Sequence, residues 1–329
     1  MIALFSRLTA NLAATAASAT SNAALAIPGF CSTESSKPRE FRLQQRITDA
    51  RLHRPNETAH DFWGMSAGAS AAQLFLADNQ NYVVRAFDVR SGQLDARDAY
   101  RCTSGESLHD VAYVAHKDTL FVATCAPSGV QAVRLLGRTG SEWREFHQLA
   151  LEGYTPNTRS KLRALSDESL VFGVWRSAEL RVLSADSSHA LQTPAQIQFS
   201  AAHWGFDVQL AAGEIRLTAA LRTPTDAVAL FRIAGGRAEA LSRYALQAPC
   251  QPLFVHDSLL VKGRTADADG KGWQVHALLG SRGGRLEPRG VLLGGRDNGD
   301  NSFPVWCVVN DALAAWLLEP ATLALYSMH

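Results

Sequence analysis

The chain has 329 residues, 47% of them hydrophobic and 19% charged, so it can bury a large core and bulk disorder is excluded. Lys+Arg is 32 against Asp+Glu 31, a balance that removes any global nucleic-acid or membrane-surface signal. No run of about 18 apolar residues occurs, so no membrane-spanning helix is expected.

Residues 1–39 read as a flexible or targeting tail. Residues 1–33 carry no Asp or Glu and a single Arg, with many Ala, Ser and Thr. That composition leaves organelle targeting open beside a plain tail and a weaker secretory reading. Phe41, Leu43 and Ile47 then alternate with Arg42, Gln44 and Arg46. This is the pattern of an edge strand with one apolar face.

From residue 60 onward one unit recurs. A short apolar strand enters a tight polar turn, and a second apolar strand follows, opened by Leu or Ile. The clearest copy is Val111–Ala115, a turn at His116-Lys-Asp, then Leu120–Thr124. Asp118, Asp167, Asp257 and Asp311 stand just before the second strand, where Asp suits a turn because it bonds its own backbone. Each unit is therefore an antiparallel hairpin. The second strands open at Leu74, Leu120, Leu170, Ile215, Leu259 and Leu313, in steps of 46, 50, 45, 44 and 54 residues. A third alternating strand follows every hairpin, and five copies have a more polar fourth. Four antiparallel strands at this interval are the mark of a propeller blade.

The fold expected is all-β: a six-bladed β-propeller of four-stranded antiparallel blades over 40–329. The blades fall at about 58–103, 107–152, 160–200, 203–247, 250–294 and 302–329. The sixth copy ends after its third strand, and a ring must close or leave raw sheet edges. Residues 40–49 are expected to supply its missing strand.

In the first blade, Leu74-Phe-Leu-Ala-Asp-Asn-Gln-Asn-Tyr-Val-Val-Arg-Ala-Phe-Asp-Val-Arg-Ser-Gly resembles an NHL-type repeat. The other blades keep the hairpin and lose the Asp-x-x-Asn signature. Residues 40–329 are thus similar to six-bladed propellers of the NHL/TolB-like kind. No Gly-His…Trp-Asp pair recurs, which speaks against WD40 repeats.

The leading ends of the inner strands converge on the central channel. His60-Asp61, His109-Asp110 and His203…Asp207 stand there, and as three His and three Asp they form a candidate binding set. No catalytic residue is assigned. No cofactor is expected, a divalent metal in the channel being the alternative. Asp267-Ala-Asp-Gly-Lys-Gly lacks the later ligands of a calcium loop and reads as a turn. Trp63, Trp175, Trp204, Trp306 and Trp316 are expected to pack between blades, the alternative being that a minority surface as a binding platform.

Arg outnumbers Lys 27 to 5. Arg forks suit carboxylates, phosphates and aromatic faces. The expected function is a non-catalytic binding module, a monomeric ring taking a protein or acidic peptide on one face. A metal-dependent hydrolase or lactonase is the alternative, and single-stranded RNA binding through an Arg/aromatic face a further one. Related six-bladed lactonases seat calcium in the channel with Glu, Asn and Asp. Five cysteines with no C-x-x-C pair point to a reducing, cytoplasmic compartment.

Overall fold

The computed structural model describes residues 41–48, 52, 57 and 59–328, leaving out short stretches at 71, 104, 116–117, 156–157, 167–168, 186–189, 200, 212–213, 223, 235–236, 256–257, 265–271, 281–284, 297–304, 310–311 and 319–320. The tail over 1–39 and the calcium-like stretch lie outside the described residues, apart from Gly272.

Every regular element among the described residues is a strand. β1 (Phe41–Thr48) stands alone before the repeats. Blade one is β2 (Phe62–Ala67), β3 (Gln73–Asp78), β4 (Val83–Asp88) and β5 (Gln93–Arg101). Blade two is β6 (Ser107–Val114), β7 (Thr119–Cys125), β8 (Gln131–Thr139) and β9 (Glu142–Leu151). Blade three is β10 (Ser160–Ala164), β11 (Ser169–Val174), β12 (Glu179–Ala185) and β13 (Leu191–Gln198). Blade four is β14 (His203–Ala211), β15 (Glu214–Leu221), β16 (Ala227–Ala234) and β17 (Arg237–Ala245). Blade five is β18 (Cys250–Val255), β19 (Ser258–Arg264), β20 (Gly272–Gly280) and β21 (Leu286–Arg296). The last blade has β22 (Val305–Val309), β23 (Ala312–Leu318) and β24 (Ala321–Met328), and β1 pairs antiparallel with β24 as its outer strand.

The residues expected to open each second strand hold the same place in all six blades. Leu74, Leu120, Leu170, Ile215, Leu259 and Leu313 are each the second residue of their strand. A side chain there points into a neighbouring blade, and five of the six are at most 1% exposed. The turn chemistry also holds where it is described. Asp118 sits at φ 45°, a left-handed position, and accepts the Tyr113 hydroxyl at 2.8 Å.

Hydrophobic clusters lie between blades rather than within them. One joins Val133 and Leu135 of blade two to Leu162 and Phe172 of blade three. Another joins Phe75 to Val111, across blades one and two. Phe206 packs with Val171 across blades three and four, and Phe254 with Val228 across four and five. Trp306, fully buried, packs with Leu260 across five and six. The sixth cluster brings Val305, Leu323 and Ile47 against Phe62, Leu74 and Phe87. Blade six is thereby packed on blade one, and the ring closes.

In the closing strand, Arg42, Gln44 and Arg46 are exposed and Ile47 is fully buried. The alternation slips once, with a bulge between Leu43 and Gln45. Blades three and four depart from the expectation of separate sheets. A single parallel bridge, Gln198 to Arg237, joins their outer strands into one eight-stranded sheet.

The arginines have a repeated structural use. Arg85, Arg134, Arg181 and Arg232 sit on the third strands of four successive blades. Arg85, with no exposed surface, donates to both carboxylate oxygens of Glu57. Arg134 pairs with Glu145 at 2.9 Å and with Glu106, Arg181 with Glu179 at 2.8 Å, and Arg232 with Glu239 at 2.6 Å. An Arg fork matches a carboxylate with two parallel bonds, which Lys does not do.

Candidate functional site: the channel and its aromatic mouth

The leading ends of the inner strands carry β-bulges. Pairing slips between Phe62 and Gly64, Leu108 and Asp110, His203 and Phe206, and Cys250 and Leu253. A bulge re-aims the side chains beside it, and barrel and sheet rims use it for that. Trp63, His109, Trp204 and Gln251 fall at these four slips. Two glycines make the close approach feasible. A Cβ on Gly64 would lie 2.5 Å from Asp110 Cα, and Gly205, at φ +114°, would place one 2.9 Å from Gln251 N.

The three histidines are taken up by separate contacts. His60 is buried within blade one, its Nδ1 2.6 Å from Asp78 Oδ2 and its ring stacked on Phe62 at 5.2 Å. Asp78 also takes the Asn81 side-chain amide at 2.7 Å, and Asn79 accepts the Leu108 amide of the next blade at 3.1 Å. Asp78 and Asn81 of the Asp-x-x-Asn signature thus tie the turn within blade one, and Asn79 between them fastens blade two. His109 Nδ1 accepts the Ser160 amide at 3.2 Å, leaving Nε2 to donate to Ser107 Oγ at 3.1 Å. Burial, with Arg159 close by, drives its pKa down to about 3. His203 has no exposed surface, sits between Phe199 and Phe206, and is likewise held neutral by burial, with a pKa of about 3.

The aspartates do come together. Asp110, fully buried, takes the Val111 amide at 2.9 Å and the Leu162 amide of blade three at 2.8 Å. Asp207 takes the Phe254 amide of blade five at 2.7 Å and forms an ion pair with Arg163, whose Nε is 2.9 Å away. Arg163 also stands 3.7 Å from Asp110, and Lys161 Nζ 3.8 Å from the same carboxylate. Four consecutive blades are therefore linked through two aspartates and two cations. Burial raises the Asp207 pKa while Arg163 and the Phe254 amide pull it back. Burial, with Arg163 beside it, pushes Lys161 down to about 8. Among the described residues, no group of three or more His, Cys, Asp or Glu stands close enough to hold a metal ion.

Asp61 belongs to a second layer. It accepts Trp63 Nε1 at 2.5 Å, and burial raises its pKa against that bond and the nearby Arg159. Arg159 lies over the Trp63 ring at 4.0 Å and reaches Trp175 at 5.6 Å. Trp175 meets Trp204 at 5.8 Å, and Trp204 is covered by Arg222 at 3.9 Å and Arg176 at 4.9 Å.

This row lies at one end of the ring. Trp63 and Trp204 are the second residues of β2 and β14, and Arg159 directly precedes β10. Ser160 pairs with Val174, which brings Trp175 and Arg176 to that end, and His203 pairs with Leu221, which brings Arg222. Trp63, Trp204, Arg159 and Arg222 are half-buried, Arg176 is exposed and Trp175 is buried. The expectation that these tryptophans pack between blades holds for Trp306, for Trp175 and Trp204, whose rings meet across blades three and four, and for Trp63, which meets His109 of blade two at 5.5 Å; Trp63 and Trp204 are in addition half-open at the channel mouth. The bulges turn them there. Trp and Arg so arranged offer flat apolar faces with cationic edges. The signal that could have found the cations is Arg159-x-Lys161-x-Arg163: alternation puts all three on one side of an inner strand.

No protein-family model matches the chain, and no curated protein does. Solved structures do. A structure described as the mitotic checkpoint complex aligns at TM-score 0.56 and 10% identity, over 93% of this chain and 99% of that one. A putative oxidoreductase (glucose dehydrogenase) of Thermus thermophilus aligns at 0.56 and 13%, over 88% and 100%. The Cps50 (Swd1) beta-propeller domain of Myceliophteria thermophila aligns at 0.51 and 12%, over 82% and 85%. At such identities the likeness is one of fold, and the fold is the β-propeller.

Proposed function

We propose that this chain is a non-catalytic propeller of the NHL/TolB-like kind, a scaffold that docks an acidic peptide segment of a partner protein on its Trp/Arg mouth. The observation that carries the reading is the row Trp63, Arg159, Trp175, Trp204 and Arg222, half-open to solvent at one end of a rigid ring. Rigid aromatics supply contact area at low entropic cost, and Arg beside them pairs with carboxylates. The channel aspartates, in contrast, spend their oxygens on backbone amides of neighbouring blades. That use suits ring architecture better than acid–base chemistry. Asp78 and Asn81, bonded as above, support the NHL-like assignment of blade one. A cytoplasmic protein keeps buried thiols such as Cys125, Cys250 and Cys307 reduced, and that is the compartment assigned in this reading, with the ring acting as a monomer.

The test is fluorescence anisotropy with a labelled Glu-rich peptide, against a neutral peptide and an RNA oligonucleotide pool. Binding of the acidic peptide, weakened by salt and lost in Arg222→Gln, supports the reading. Binding of the RNA alone, or of neither, overturns it.

A further inference from the structure

We infer that the central channel, beneath the mouth, holds a binding site for a small oxyanion of the phosphate or carboxylate class, built by Arg159, Lys161 and Arg163. The site shares Arg159 with the mouth, but its argument does not rest on the peptide-docking reading.

It starts from donors without acceptors. Lys161 is 2% exposed, and its Nζ makes no hydrogen bond within the described residues, the nearest carboxylate being 3.8 Å away on Asp110. Arg163 Nη2 and Arg159 Nη1 are buried and unpartnered in the same way. These three residues alternate along one short stretch of the inner strand of blade three and its approach, so their side chains leave on the same side. A buried cationic donor left unmade is costly, and such groups call for an acceptor.

The carboxylates nearby do not fill the need. Asp110 spends one oxygen on Val111 and the other on Leu162. Asp207 accepts the Phe254 amide, and its contact with Arg163 Nε at 2.9 Å is an ion pair without hydrogen-bond geometry. Asp61 takes the Trp63 indole. Cys307, on blade six, feels Arg163 and Lys161, yet burial holds its thiol protonated, with a pKa of about 12. The channel therefore has three cationic residues with buried donors that none of these carboxylates meets in a hydrogen bond. A compact anion with three or four oxygens supplies the acceptors. Phosphate and a short dicarboxylate share that chemistry.

The full-length chain should be melted and titrated calorimetrically with inorganic phosphate and with succinate, ionic strength being matched with NaCl. A rise in melting temperature with either anion above the NaCl control supports the site, and which anion acts identifies the source. Lys161→Met should weaken that binding at least about tenfold, the loss of one charge-assisted bond. Should Lys161→Met fail to fold, Arg159→Gln, at the half-exposed rim, decides in its place. Arg222→Gln, which touches only the mouth, should leave the anion effect intact. No shift beyond the NaCl control in the wild-type chain overturns the inference. So does a full shift retained in the folded variants of Lys161 and Arg159.

Discussion

Asp207 of the fourth blade accepts the backbone amide of Phe254, in the fifth, at 2.7 Å. The same carboxylate is 2.9 Å from Arg163 of the third blade, so one buried side chain fixes three blades. Removing it strands both Arg163 and the amide. Asp207→Ala should cost about 3–5 kcal/mol, the range for breaking a buried pair from one side. Asp207→Asn, which keeps an acceptor for Phe254, should cost less. Urea denaturation of both variants checks the order.

Gly64 marks a close backbone approach between blades one and two. Adding a Cβ places it 2.5 Å from Asp110 Cα and 2.9 Å from Val111 N, both backbone, so neither can swing aside. Gly64→Ala should destabilise by about 1–3 kcal/mol through forced separation of the two inner strands. The same change at Gly68, which faces the flexible Gln73 side chain, should be milder. Paired melting curves distinguish them.

The blades were legible in the sequence and the site much less so. The hairpin repeat is a local signal: turn residues and an alternating pair of strands lie close together in the chain, and Leu74, Leu120 and their counterparts mark the phase. The partners of the channel residues are remote. Asp110 meets Leu162 and Asp207 meets Phe254, one blade onward, and nothing local to either aspartate announces that bond. His60, His109 and His203 stand near the leading ends of their inner strands but at different places relative to the bulges, and each ring finds its own neighbours: Asp78 for His60, Ser160 of the next blade for His109, Phe199 and Phe206 for His203. The tryptophans were visible as residues, and only the bulges decide which of them reach the mouth.

The buried histidines set a pH dependence. Both His109 and His203 have folded pKa values of about 3, against 6.5 for a free ring. The unfolded chain therefore binds more protons between about pH 6.5 and 3, and stability falls as pH drops through that window. Asp61 and Asp207, whose pKa values are raised, act in the opposite sense in acid, where their protonation relieves buried charge. The histidine share is isolated by His109→Asn and His203→Asn, whose side-chain oxygen still accepts the backbone amide. Each should flatten the acid limb of stability against pH, measured by urea midpoints.

Closure by β1 is testable by truncation. Ile47 is fully buried in the cluster between blades six and one, worth about 1.5–3 kcal/mol, and β1 also satisfies the edge of β24. Deleting residues 1–50 should lower the melting temperature by roughly 5–10 °C or more. Deleting 1–33 should leave it unchanged. Equal melting temperatures for the two truncations would place closure elsewhere.

The Trp/Arg mouth is best examined with the seven tryptophans themselves. With 5-fluorotryptophan incorporated and each resonance assigned by substitution, fluorine NMR reads every ring during titration with a Glu-rich peptide. Trp63 and Trp204, half-open at the mouth, should move with the peptide, while Trp306, fully buried between blades five and six, should stay fixed. Resonances of Trp63 and Trp204 that do not respond at saturating peptide would contradict docking at the mouth.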